Sequence, residues 1–207
     1  MVDNIHWYGH DAFRIDDAGK HIYIDPWNVP NTAPKADVIL VTHSHFDHFS
    51  EPDIAALSTK ATKVVAPADV AKKLGRAATA VKPGDTVTVD ALKIAAVPAY
   101  NIGKPFHQPS SGWVGFVVTL STGVTVYHAG DTDATPEMKA IENLDVALLP
   151  VSGKYVMTAE EAAAAANVFK PRLVIPMHYG AIIGGASDAE KFKKAFHGET
   201  VIKQPEK

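Results

Sequence analysis

Four potential metal ligands fall within six residues of this chain, in the run His43-Ser44-His45-Phe46-Asp47-His48. The run constrains the fold through its flanks. It follows the apolar stretch Val38–Thr42, which reads as a buried strand. It precedes Ser50-Glu51-Pro52-Asp53, a serine N-cap with proline in the first helical turn. A loop at the carboxyl end of a buried strand is where α/β sheets place their chemistry. Imidazole and carboxylate are borderline-to-hard donors that suit zinc, manganese or iron. Four such groups exceed what one tetrahedral ion takes from a single loop, and two adjacent ions explain the surplus.

Composition narrows the possibilities. The 207 residues include 10 His and no Cys, which excludes disulfides, thiolate zinc sites, iron–sulfur clusters and a cysteine nucleophile. A net charge of −3 argues against a polyanion-binding surface, so no nucleic-acid partner is expected. No apolar run approaches the ~20 residues of a membrane helix, and Met1-Val2-Asp3-Asn4 lacks the regions of a signal peptide. The expectation is a cytoplasmic protein with a small-molecule substrate and no membrane partner.

Strand and helix signals alternate along the chain. Strands are expected at Ile22–Ile24, Val38–Thr42, Val64–Ala66, Val146–Leu149 and Leu173–Ile175. Hairpins are expected for Thr86–Val89 with Leu92–Val97, and for Trp113–Leu120 with Val124–Tyr127. Caps mark helices after Ser50, over Pro67–Leu74, after Thr135, after the Thr158/Glu161 capping box, and after a Ser187/Glu190 box ahead of Phe192–Phe196. No linker divides residues 1–207, so one domain of two similar αβ halves is expected. Hairpins beside crossovers require mixed sheets. The economical packing is a four-layer αββα sandwich.

Two further strand ends deliver ligand-type side chains. Val124–Tyr127 runs into His128-Ala129-Gly130-Asp131-Thr132, and Leu173–Ile175 runs into Pro176-Met177-His178-Tyr179. Either residue alone would be ordinary. Asp131 and His178 draw their weight from converging on the same kind of position as the loop at 43–48.

These motifs, in this order, resemble those of the metallo-β-lactamase-fold hydrolases. More narrowly, Trp7-Tyr8-Gly9-His10, Ile24-Asp25-Pro26-Trp27 and Tyr127–Thr132 resemble the beta-lactamase-like metal-dependent hydrolases, relatives of lactonase and phosphodiesterase-type members. The resemblance implies that His43 and His45 bind a first ion, that Asp47 and His48 bind a second, that Asp131 bridges both, and that His178 completes the ligand set of the second ion. It also expects a histidine after a mid-chain strand. Asn101 stands where that residue is often found, and His107 is the histidine left in the interval, so the third ligand of the first ion is assigned to His107. Asp25 is expected to hold a ligand histidine from behind, and His10 to face the site from below.

The implied reaction is hydrolysis of a small ester, lactone or phosphodiester by a hydroxide activated by one or two divalent ions, zinc first, with manganese or iron as alternatives. Asp47 and Asp131 would be the catalytic carboxylates. Tyr100, Lys154 and Tyr179 are candidate substrate contacts, with Lys104 and Tyr155 beside them. The loop 101–111 reads either as a cover for the site or as a contact for a second subunit. A non-catalytic metal-binding or sensor module of the same fold is the alternative.

Overall fold

The computed structural model describes residues 2–75 and 78–206. Six strands form one sheet in chain order: β1 (Ile5–Gly9), β2 (Ala12–Asp17), β3 (Lys20–Ile24), β4 (Val38–Leu40), β5 (Lys63–Pro67) and β6 (Ala78–Val81). Seven form the other: β7 (Thr86–Val89), β8 (Leu92–Pro98), β9 (Val114–Thr119), β10 (Thr125–His128), β11 (Val146–Pro150), β12 (Leu173–Met177) and β13 (Glu199–Thr200). Each sheet begins with antiparallel pairs and continues with parallel ones, β3 through β6 in the first and β10 through β13 in the second. The mixed character expected from hairpins beside crossovers is present in both.

The period-2 alternation of the first sheet separates two apolar clusters. Ile22, Ile24, Val38, Leu40 and Val65 face the cluster shared with the second sheet. Their neighbours Tyr23, Ile39, Val64 and Ala66 face outward. There they pack against Ile54 and Leu57 of α1 (Glu51–Leu57) and Val70 of α2 (Ala68–Leu74). On the second sheet the cover is α3 (Pro136–Lys139), α4 (Ala159–Phe169) and α5 (Ala186–Ala195). The small face of α4, with Ala162, Ala163, Ala165 and Ala166 buried, brings that helix close to the sheet.

The caps act where the sequence places them at Ser50, Thr135 and Thr158, each accepting a backbone N–H from the first turn. The α5 expectation needs correction. That helix starts at Ala186, because the Asp188 carboxylate accepts the Gly185 N–H (3.0 Å), and the Ser187/Glu190 pairing does not set its start. The β1–β2 hairpin, β6 and β13 were not expected. The first is the consequential omission, since its turn reaches the site. No helix among the described residues is long and apolar enough to cross a membrane.

Candidate metal centre

Strand β4 stops at Leu40, two residues short of the expected end. Thr42 leaves the ladder because a buried side chain outcompetes a neighbouring strand. Its N–H and its hydroxyl both donate to the Asp25 carboxylate, at 2.7 and 2.6 Å. Its carbonyl accepts the Val114 N–H from the second sheet (3.2 Å). The loop is thereby drawn between the sheets. Gly130 lets the end of β10 close against it: with φ +62°, a Cβ there would lie 3.1 Å from the Thr42 Cβ.

The hydrogen-bond network assigns the histidine tautomers. A hydroxyl has one hydrogen, and that of Thr42 is committed to Asp25. Its oxygen therefore accepts from His43 Nδ1 (2.9 Å), which turns His43 Nε2 toward the centre. Asp25 also accepts from His48 Nδ1 (2.8 Å), with the same result for His48 Nε2. Asn101 does this for His107. Its Oδ1 accepts the His107 backbone N–H (3.1 Å), which fixes the amide orientation, and so it also accepts from Nδ1 (2.9 Å). The Asn101 amide donates to Tyr155 O (2.8 Å). The asparagine standing where a histidine was expected is the residue that orients His107.

Overlapping clusters result, each with one ligand atom from every residue within 4.8 Å of the others. His10, Asp47, His48 and His178 form one, and two more share Asp131: His43, His45, His107 and Asp131, and Asp11, His48, Asp131 and His178. Asp131 faces both. Its Oδ1 lies 3.3 Å from His48 Nε2 and 3.3 Å from His178 Nε2, and its Oδ2 lies 3.2 Å from His107 Nε2 and 3.9 Å from His43 Nε2. His45 Nδ1 is 3.0 Å from His43 Nε2. Asp47 stands at the rim, its Oδ2 paired with His10 Nε2 at 3.0 Å and 3.9 Å from His48 Nε2.

The donor set fits divalent cations. His48 Nε2, His107 Nε2, Asp131 Oδ1 and both oxygens of Asp11 are buried without a hydrogen-bond partner. Buried polar atoms are rarely left so. Two ligands each about 2.0–2.2 Å from one ion stand roughly 3–4 Å apart, which is the spacing seen here.

Electrostatics agree. Burial works against the Asp131 carboxylate, but His178, His48 and His107 hold it well below the usual range. Burial also works against the charged forms of His48 and His178. Asp131 and Asp25 nevertheless hold His48 well above its ordinary value, and Asp131 and Asp11 hold His178 at about 9. Burial, reinforced by His48, pushes His43 well below. Without metal, His178 therefore carries a proton at neutral pH. Its pKa is raised above the unfolded ~6.5, so its contribution to metal-free stability is complete below that pH and is lost as pH rises through about 9. A cation must displace that proton. Calorimetric metal titrations at pH 7 in buffers of different ionisation enthalpy are expected to show net proton release, with affinity rising toward pH 9. Uptake without proton release would contradict the assignment of His178.

The cavity above the clusters, of about 280 Å³, is lined by His45, Asp47, His107, Asp131 and His178 on its floor and by Phe46, Phe106, Tyr155, Ile182 and Ile183 above. A larger hollow of about 670 Å³ lies elsewhere, between residues 139–145 and 168–172, and none of these ligand-type residues lines it. The structure places the three substrate candidates outside the lining. The Tyr100 hydroxyl donates to Glu137 (2.9 Å), Lys154 lies over the Tyr155 ring, and Tyr179 packs on Trp7. Lys104 is tied to Asp133 (2.6 Å) and Val156 O (2.7 Å). Of the five residues, Tyr155 alone lines the cavity. Asp11 was missed, as were the apolar residues 182 and 183. No spacing rule links a hairpin tip or a distant loop to the cluster. The one available signal was the Gly9-His10-Asp11 turn, where two ionisable residues follow a glycine.

A family profile described as a beta-lactamase superfamily domain matches residues 4–178. The chain is 37% identical to a UPF0173 metal-dependent hydrolase of Thermococcus onnurineus, over 97% of this chain and 96% of the relative. It is 38% identical, with the same coverage, to one of Thermococcus kodakarensis. Among solved structures it is similar to a protein of Parabacteroides distasonis described as a metal-dependent hydrolase, with TM-score 0.88 and 35% identity over 98% of this chain and 93% of that one. It is also similar to Igni18, a metallo hydrolase of Ignicoccus hospitalis, with TM-score 0.82 and 27% identity over 98% and 95%.

Proposed function

The chain belongs to the beta-lactamase superfamily and is a metal-dependent hydrolase, and from that premise we propose that it cleaves a small ester or lactone with an apolar substituent at a centre of two divalent cations. His43, His45, His107 and Asp131 would hold one ion, and His48, His178 and Asp131 the other, with Asp47 at the rim. Zinc is the first candidate for both, and manganese and iron suit the same donors. A bound cation of this kind activates water near neutral pH and polarises the scissile carbonyl. The chain's own groups do the rest. Asp131 spaces the two clusters, one oxygen to each. Asp47 opens to the cavity and is held by His10, so its free oxygen orients an incoming water. Burial of His107, Asp131 and His178 keeps bulk solvent from the deeper part of the floor.

The observation that carries the substrate class is the apolar mouth. Phe46, Phe106 and Ile182 are exposed large hydrophobics, 69%, 41% and 45% accessible, and all three line the cavity. Exposed apolar side chains gathered at one concavity mark a binding surface. No lysine or arginine is among the described residues lining it, so any charge on a substrate would be met by the cations alone. The apolar mouth therefore favours esters over the phosphodiester expected beside them.

The test is a panel of p-nitrophenyl esters of increasing acyl length, aliphatic lactones and a bis-aryl phosphodiester, with and without chelator. Ester or lactone turnover that rises with chain length, is abolished by chelator and is restored by Zn²⁺ or Mn²⁺ is expected. Ile182→Ser should raise KM for the longest ester about 10-fold, the worth of a partly buried aliphatic side chain, and leave metal content unchanged. Faster cleavage of the phosphodiester than of any ester would overturn the proposal, and metal uptake with no turnover across the panel would favour the sensor alternative.

A further inference from the structure

We propose that Asp11, a residue outside every motif of the loop at 43–48, is a direct ligand of the second cation and adds a carboxylate to it beside that of Asp47. This goes beyond the two-cation reading and rests on it. Asp11 sits at the tip of the β1–β2 hairpin, between Gly9 (φ +105°) and the start of β2, beside His10 (φ +51°). Hairpin tips normally meet solvent. Here the Asp11 side chain is completely buried, and neither carboxylate oxygen has a hydrogen-bond partner. A buried carboxylate left without hydrogen bonds is costly unless a cation meets it.

The surroundings of the carboxylate identify that cation's place. Asp11 Oδ2 is 3.7 Å from His48 Nε2 and 3.9 Å from His178 Nε2, the two imidazoles that face Asp131 Oδ1. It is also 3.6 Å from His10 Nε2. His48 Nδ1 is committed to Asp25, and His178 Nδ1 lies 2.7 Å from Ser152 Oγ, so both rings turn Nε2 inward. Four donor atoms thus converge with no donor hydrogen supplied by a neutral neighbour. Asp47 approaches the same imidazoles from the cavity side: its Oδ2 is 3.9 Å from His48 Nε2 and is engaged by His10 Nε2 at 3.0 Å, and its side chain is 14% exposed.

The backbone holds Asp11 in this position. The Asp11 carbonyl accepts from His128 Nε2 (2.9 Å), and His128 Nδ1 accepts the Gly130 N–H (3.2 Å), which settles that tautomer. The His10 carbonyl accepts from Trp7 Nε1 and from the His178 N–H, each at 3.0 Å. The hairpin tip is bonded to the ends of β10 and β12, the strands that deliver Asp131 and His178. A side chain carried on so restrained a turn is preorganised for coordination.

The experiment titrates metal-free wild type, Asp11→Asn and Asp47→Asn with Co²⁺ and Zn²⁺. It reads stoichiometry and affinity by calorimetry and the d–d spectrum of each Co²⁺ equivalent. Far-UV circular dichroism and Tm of the metal-free proteins serve as the folding control. Asp11→Asn is expected to bind the first equivalent as wild type does, and to bind the second more than about 100-fold more weakly, beyond the 10–100-fold typical of residues that only support a ligand, with an altered second Co²⁺ spectrum. Asp11→Ser repeats the test should the amide disturb packing. Two tight equivalents in Asp11→Asn overturn the proposal, as does an equal weakening of both equivalents together with a lowered metal-free Tm, which marks a structural role. A wild type that binds one equivalent refutes the two-cation reading instead.

Discussion

Asp131→Asn is expected to lose metal and turnover together, with kcat/KM falling on the order of 10³-fold, about 4 kcal/mol of transition-state stabilisation. The carboxylate is the one group facing both clusters, and the amide offers a single acceptor oxygen where two are used. The size of the stability effect depends on pH. Metal-free wild type gains from Asp131 while His48 and His178 are protonated, which holds below the raised pKa of His178, about 9. The variant forgoes that gain, so it should be destabilised at pH 6. At pH 10 His178 is neutral and Asp131 has lost that partner, so the fall in Tm caused by the substitution should be smaller than at pH 6. Metal content, kcat/KM and Tm at the two pH values check this. Full metal content and near-native turnover in the variant would remove Asp131 from the centre.

The second large effect is expected at Asp25. Its carboxylate accepts from Thr42 N, Thr42 Oγ1 and His48 Nδ1, all buried. Asp25→Ala leaves three donors unsatisfied at about 1–3 kcal/mol each, so a net loss of about 3–5 kcal/mol is expected. That is a large fraction of a typical 5–15 kcal/mol domain stability, and corresponds to a Tm fall of roughly 10 °C for a chain of this size. Alanine also fits the backbone poorly there, since Asp25 has φ +47°. Metal affinity should fall about 10–100-fold, because the orientation of His43 and His48 is lost with it. Asp25→Asn keeps one acceptor and should lie between wild type and alanine in both measurements. An alanine variant with wild-type Tm and full metal content would show that the network contributes nothing.

The parts of this molecule that could be read in the sequence are those in which chemistry and periodicity share a few consecutive residues. The loop at 43–48 carries four donors beside a strand and a capped helix, and the structure places that loop at the meeting point of the sheets. The ends of β10 and β12 bring Asp131 and His178 to it, as their positions past buried strands suggested. What was hidden depends on tertiary partners. Val38–Thr42 is apolar enough to continue as a strand, yet Thr42 takes Asp25 as its partner. Asp11 occupies a hairpin whose strands are short and mixed in polarity, Ile5–Gly9 and Ala12–Asp17, and nothing local connects it to residues 178 or 131. Tyr100, Lys154 and Tyr179 have the right chemistry for substrate, but Tyr100 and Tyr179 are occupied by Glu137 and Trp7, neighbours that sequence separation conceals, and Lys154 lies over the adjacent Tyr155 ring. The α5 start was misplaced because two acidic residues, Asp188 and Glu190, both suit a capping role and only backbone geometry selects between them.

His107 and Phe106 are adjacent in the chain, and one is a floor donor while the other is a wall of the mouth. His107 hangs from the amide of Asn101, which is anchored on the carbonyl of Tyr155, and the Tyr155 ring packs on Phe106. Retuning this loop for a bulkier guest drags the inner donor with it. New selectivity in this chain is therefore easier to acquire through residues 182 and 183, which line the same cavity and adjoin no donor in the sequence.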